Sequence, residues 1–206
     1  MSINKAYLDG ESLLKIQNTF RTEGSALLFN FFDDETLLEI KKAINHLSFK
    51  EEKEILKQSY AQAQMDSAKK SPENYLKENV LKKNFQGKEF LGFLSFILNR
   101  KLLAPLFSVY NFTWKNYTLL HDDAQEKPGV DIIFDLASLH HEQWNESWGG
   151  VITYVDGSGE FRRLPVQQNV LALVQRRTAE EQRFVQYVNH HAEGKKRFFV
   201  MGQLKG

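Results

Sequence analysis

The chain contains no cysteine. That excludes disulfide frameworks, thiolate-bound zinc, iron–sulfur clusters and thiol nucleophiles together. Four prolines and 12 glycines in 206 residues leave no low-complexity tract, and no internal repeat is visible. Neither sign of charge dominates: Lys+Arg 27 against Asp+Glu 26 gives +1. So flat a balance does not point to a nucleic-acid or acidic-membrane partner. Long apolar runs are missing too; nothing approaches the roughly 18 residues of a membrane span. Met1 to Gly10 has no apolar stretch of the kind a secretory signal requires, and the expected address is cytoplasmic. What is present is ordinary for a globular protein: 42% hydrophobic and 26% charged residues, in a length that can bury a real core. A single domain over 1–206 is expected.

The first half of that domain, 1–101, reads as helical support plus a polar segment. Leu13, Ile16 and Phe20 recur at helical spacing. Ala26 to Phe32 is a short apolar run that predicts a strand. Asp33 and Asp34 then cap a helix whose stripe is Leu37, Ile40, Ile44 and Leu47. From Phe49 to Lys88 apolar residues are sparse, and the reading is exposed helix fragments or loop, a linker or a flap over a site. Phe90, Leu91, Leu94, Ile97 and Leu98 resume a helix. Near Leu102 the patterning changes. Short β-rich runs follow at Ser108–Trp114, Tyr117–His121, Val130–Leu136, Gly150–Val155, Val170–Val174, Phe184–Val188 and Arg197–Met201, with turn clusters between them. Many short strands at this spacing predict an antiparallel sandwich or barrel over 102–206. Several are apolar on both faces, as expected when helices cover the outside and side chains fill the inside.

The stretch most informative about chemistry is Tyr117-Thr118-Leu119-Leu120-His121-Asp122-Asp123. On a strand alternate side chains face the same way, so Tyr117, Leu119, His121 and Asp123 share a face. A histidine and a carboxylate two residues apart can grip one metal ion from one side. A facial triad of two histidines and one carboxylate needs that arrangement, because it leaves positions open for co-substrate and O₂. The bland alternative is a strand-end histidine followed by acidic turn residues.

Three later segments add context: Trp144 to Tyr154 with Trp148-Gly149-Gly150, Leu164 to Leu173 with Pro165 and Asn169, and Arg197 to Gly202. With the His-x-Asp pair, their order over 108–204 resembles the prolyl-hydroxylase-like branch of the Fe(II)/2-oxoglutarate-dependent dioxygenases. The resemblance implies a mainly β fold, a double-stranded β-helix (jelly roll) buttressed by the N-terminal α-helices. It implies Fe(II) and 2-oxoglutarate as cofactors, and hydroxylation of a protein or small-molecule substrate whose identity the sequence does not carry. By position in the motif, His121 and Asp123 match the first two metal ligands. Arg197 matches the basic residue that pairs with the far carboxylate of 2-oxoglutarate, a task suited to a planar, permanently charged fork. Trp148, Gly149, Gly150, Pro165 and Asn169 match structural positions.

Two departures stand out. The family places its distal histidine in His-x-Val-x-x-Val; with Val185 and Val188 in register, that position holds Arg183. A guanidinium has no lone pair to give a metal. His191 shares strand parity with Arg183 but lies about 26 Å further along an extended strand, and His190 faces the other way. Both read as hairpin residues; His140 and His141 read as surface residues at a strand edge, and one of them facing the cavity is the better candidate to complete the site. Relatives also carry a tyrosine about nine residues before the first ligand; here Phe112 stands there, and Tyr117 offers a hydroxyl from the His121 face. Three functions follow: an active hydroxylase with a rearranged site, a pseudo-oxygenase serving as a binding or regulatory module with Arg183 paired to Asp123, and a ligand-binding jelly roll with unrelated chemistry that stacks ligands on Trp144, Trp148, Phe112 or Trp114.

Overall fold

A computed structural model describes residues 3–54, 58–64, 72–102, 105–120, 128–139 and 143–205. Four α-helices form: α1 (Gly10–Glu23), α2 (Asp34–Asn45), α3 (Pro72–Phe85) and α4 (Lys88–Ile97). The first two start where the sequence supplies a cap. Asp9 accepts from the backbone N–H groups of Glu11 and Ser12, and Asp33 accepts from that of Thr36. Gly24, at φ +70°, ends α1 in the left-handed conformation that glycine adopts without penalty. The expected stripe of α2 is buried at Leu37, Ile40 and Ile44.

Eleven strands among the described residues join one antiparallel sheet: β1 (Ser25–Phe29), β2 (Lys50–Glu54), β3 (Gln58–Gln64), β4 (Phe107–Phe112), β5 (Tyr117–Thr118), β6 (Gly129–Ala137), β7 (Ile152–Asp156), β8 (Gly159–Arg163), β9 (Val170–Arg176), β10 (Gln182–Val185) and β11 (Arg197–Lys205). Their order is β1-β9-β6-β11-β4-β3-β5-β10-β7-β8, with β2 paired to β3 outside that path. The sheet curls into the half-barrel of a jelly roll.

Curling gives the sheet two apolar faces, and alternate residues divide between them. On β6, Ile132, Phe134 and Leu136 face the helices, whereas Ile133 and Ala137 face the inside of the roll. On β11 the same division puts Phe198 and Val200 outside and Phe199 inside. A register shift against β6 between Phe198 and Phe199 sits at the end where the two strands part. The outer layer is a phenylalanine cluster; Phe32 meets Phe134 edge-on at 5.0 Å and Phe85 at 5.8 Å. Asn169 ties this layer to the sheet: its side chain accepts from the Phe32 N–H at 2.9 Å and donates to the Phe32 carbonyl at 2.8 Å.

The polar segment after Phe49 differs in part from the sequence expectation. It contributes a helix, α3, in line with the expected helix fragments, but also β2 and β3, and β3 lies inside the sheet between β4 and β5. Its charged and amide side chains hid the pattern, because β2 is exposed on nearly all positions and a strand of that kind carries no apolar alternation. The sheet is thus not confined to 102–206: β1, β2 and β3 come from the first half.

Candidate functional site in the jelly-roll interior

β6 is buried at all nine positions, yet it carries two aspartates four residues apart, Asp131 and Asp135. By strand parity both share the inward face with Ile133. A carboxylate in such a place needs a counter-charge, since an unpaired buried ion is costly. Two buried clusters result.

Asp131 Oδ2 is the centre of the first. It accepts from Arg183 Nη1 at 2.8 Å, from Arg176 Nε at 3.1 Å and from the Tyr154 hydroxyl at 3.1 Å. Arg176 comes from the end of β9, Arg183 from β10 and Tyr154 from β7, so the aspartate joins four strands. Burial, followed by the nearby Asp131 charge, pushes the Tyr154 hydroxyl well above its ordinary pKa and keeps it a donor.

Asp135 and Arg197 make the second. Arg197 Nη2 donates to Asp135 Oδ2 at 2.6 Å, with side-chain exposures of 0% and 5%. Asp135 Oδ1 also accepts from the Ala137 N–H at 2.7 Å. Burial raises the Asp135 carboxyl to about 6, and Arg197 opposes the rise. Burial lowers the Arg197 guanidinium while Asp135 holds it up. The Phe199 ring lies 4.9 Å from the guanidinium carbon. Gly150 explains how so large a group fits: a β-carbon there would stand 2.9 Å from Arg197 Cδ. Gly149, at φ +83°, is tighter still, since a β-carbon would meet the Tyr187 carbonyl oxygen at 1.9 Å. The Trp-Gly-Gly segment therefore shapes the inside of the roll.

Next to these clusters lies an interior cavity of about 210 Å³, walled by Tyr60, Tyr110, Phe112 and Phe199 with Thr118 and Arg183. Phe112 stacks between Tyr60 and Phe199 at centroid distances of 5.6 and 5.5 Å. The residue of β5 that reaches the cavity is Thr118; Tyr117 lies against Tyr187 at 6.2 Å. His121 and Asp123, the expected metal ligands, lie outside the described residues, as do His140 and His141. His190 and His191 are exposed in a single 3-10 turn, their rings 4.0 Å apart.

Arg183 and Arg197 both reach the interior, each onto an aspartate that the sequence reading did not single out. For Arg183 the expected partner was Asp123 or a bound anion, and the described one is Asp131. The available signal was the pattern of β6 itself: two carboxylates in a run of Val130, Ile132, Ile133, Phe134 and Leu136 announce buried partners.

Among the described residues no group of three His, Cys, Asp or Glu side chains is placed to hold a metal ion, and Arg183, which the resemblance aligns with the distal ligand, is engaged with Asp131. Toward 2-oxoglutarate the chemistry fits at Arg197: besides the Nη2 held by Asp135, its buried Nε and Nη1 have no hydrogen-bond partner among the described residues, two donors that suit a carboxylate.

The architecture is that of the jelly-roll 2-oxoglutarate/Fe(II) oxygenases. The chain belongs to the family described as oxoglutarate and iron-dependent oxygenase degradation C-term, whose model matches residues 1–205. A search of curated proteins returns no match. Among solved structures, a prolyl-4-hydroxylase from Pseudomonas putida is similar with a TM-score of 0.65 at 10% identity, over 94% of this chain and 98% of that one. A prolyl hydroxylase from Trichoplax adhaerens, solved with a peptide fragment of a hypoxia-inducible-factor oxygen degradation domain, gives 0.69 at 12% identity over 96% and 94%. An oxidoreductase of the 2OG-Fe(II) oxygenase family from Burkholderia pseudomallei gives 0.69 at 11% identity over 98% and 93%. At such identities the likeness is one of fold. No helix among the described residues is long and apolar enough to cross a membrane.

Proposed function

We propose that this protein is an Fe(II)/2-oxoglutarate-dependent oxygenase that hydroxylates a protein or small-molecule substrate. The observation that carries the reading is the buried Arg197 guanidinium, which Asp135 holds at 2.6 Å through Nη2 while Nε and Nη1 have no partner among the described residues, two donors left for the carboxylate that the resemblance assigns to 2-oxoglutarate. The family match over residues 1–205 and the His121-x-Asp123 motif after β5 support it. His121 and Asp123 bind Fe(II), and His140 or His141 completes the site. A cytoplasmic address, as expected from the sequence, is part of the proposal.

A second reading, a catalytically inactive pseudo-oxygenase serving as a binding or regulatory module, is favoured by Arg183, which the resemblance aligns with the distal ligand and which pairs with Asp131 at 2.8 Å. The Arg183–Asp131 and Arg197–Asp135 pairs together cross-link β6, β10 and β11, a structural task that needs no cofactor.

One set of measurements separates the two. Calorimetry with Mn²⁺ and 2-oxoglutarate, and succinate release with Fe(II), 2-oxoglutarate and a proline-containing peptide, are both carried out on the full chain. The oxygenase reading expects 2-oxoglutarate binding and succinate above background. No 2-oxoglutarate binding and no succinate would overturn it in favour of the binding module.

A further inference from the structure

The interior cavity of about 210 Å³ has one aromatic wall. Tyr60 of β3, Tyr110 and Phe112 of β4 and Phe199 of β11 supply it and pack in a closed circuit of four rings. Neighbouring ring centroids stand 5.4 Å apart at Tyr60–Tyr110, 5.1 Å at Tyr110–Phe199, 5.5 Å at Phe199–Phe112 and 5.6 Å at Phe112–Tyr60. Each ring is held by its neighbours, so the wall is in place before a ligand arrives. Ile152 of β7 and Val185 of β10 add aliphatic surface. The polar lining residues Gln58, Thr118 and Arg183 are half-buried and stand nearer solvent than Phe112, Phe199 and Ile152, which are buried.

Arg183 is the charged group of this lining. Its side chain keeps 17% exposure, so it is reached from solvent, and no acidic side chain lines the cavity among the described residues. Asp131 fixes the guanidinium from behind, accepting from Nη1 at 2.8 Å. The same carboxylate holds Arg176 at 3.1 Å, and one negative charge does not cancel two guanidiniums. Arg183 is therefore positioned in advance and still attracts an anion. Its planar fork matches a carboxylate, and partial burial strengthens the attraction over that of a fully solvated cation. The volume is below that of sites for drug-sized ligands, about 300 Å³ and upward, which limits the occupant to a molecule of about one ring.

We propose that this cavity binds a single-ring aromatic carboxylate, with its ring against the wall of Tyr60, Tyr110, Phe112 and Phe199 and its carboxylate on Arg183. The aromatic wall selects the ring and the guanidinium selects the anion. Binding uses neither Arg197 nor a metal ion, so it stands apart from the oxygenase reading; within that reading it names the class of small-molecule substrate.

The test uses the full chain without metal or 2-oxoglutarate, so its failure is separate from a failure of the oxygenase reading. Benzoate, 4-hydroxybenzoate and phenylacetate are the probes. Acetate lacks the ring, benzamide lacks the charge and cyclohexanecarboxylate lacks the aromaticity; these are the controls. At least one probe should bind in calorimetry, and more tightly than any control. Arg183→Met should weaken that binding by roughly tenfold or more. On the unaltered protein, the ring protons of the bound probe should show nuclear Overhauser contacts to the methyl groups of Ile152 and Val185, a readout that decides the matter if Arg183→Met does not fold. Absence of binding by all three probes overturns the proposal. So does a control that equals the best probe, binding unchanged by Arg183→Met, or a bound probe without contacts to Ile152 and Val185.

Discussion

Asp135 can lose its proton only inside a dry strand, against Arg197. Its carboxyl titrates near 6 in the folded protein and near the ordinary carboxylate value of about 4 in the unfolded chain. Between those values the folded state holds more protons, so stability falls as pH rises through the window. The contribution is full below about 4 and lost above about 6, and it amounts to about 3 kcal/mol. Urea unfolding at pH 5 and pH 7 should therefore show wild type gaining on acidification relative to Asp135→Asn, which has no such proton to bind. Arg197→Met should cost about 3–5 kcal/mol at pH 7, because it strands a buried carboxylate, and less at pH 5, where that carboxylate protonates. Adding Asp135→Leu should restore stability. A merely surface-exposed arginine would show none of this. Arg183→His tests the distal position: it exchanges a group that cannot ligate for one that can, and should raise Mn²⁺ affinity markedly in calorimetry if His121 and Asp123 stand beside it. Unchanged metal binding would mean that the register aligning Arg183 with the distal ligand is wrong.

At the scale of elements, the turn from Trp148 into β7 is set by close packing of backbone. Gly149→Ala would place a methyl against the Tyr187 carbonyl at a positive φ. The positive-φ, extended conformation of Gly149 (φ 83°, ψ −155°), which is essentially confined to glycine, alone costs about 1–3 kcal/mol, and the clash adds to it, so a loss above about 2 kcal/mol in chemical denaturation is expected. Gly92→Ala is the contrast. Gly92 lies exposed in α4 with open space where a β-carbon would go, and the substitution should stabilise by about 0.5–1 kcal/mol through helix propensity and the unfolded chain. Equal effects at the two positions would remove the packing explanation. Helices α1 and α2 were legible because caps and apolar stripes are local signals. β3 was not, because its place between β4 and β5 is decided by partners far away in sequence.

Across the whole molecule, the strands differ in how many neighbours secure them. β6, β9 and β11 lie side by side, packed by helices on one face and the interior on the other. β5 is two residues long, and β2 hangs on β3 alone among the described strands. Native-state hydrogen exchange should find the slowest amides in β6, β9 and β11, opening only with global unfolding, and fast local opening in β2 and β5. Uniform protection across the sheet would contradict that gradient. The helices that cover the outer face also explain why β6 is buried at every position instead of alternating.

The amino-acid sequence by itself determined the helix starts, the apolar strands and the order of motifs that marks the oxygenase fold, because capping, periodicity and motif order are written along the chain. It also determined that an arginine, Arg183, stands where the family resemblance places the distal ligand. Only the tertiary structure decided what Arg183 and Arg197 do. Their partners, Asp131 and Asp135, lie 52 and 62 residues away, and a buried charge takes its meaning from whichever opposite charge the fold brings within hydrogen-bonding distance.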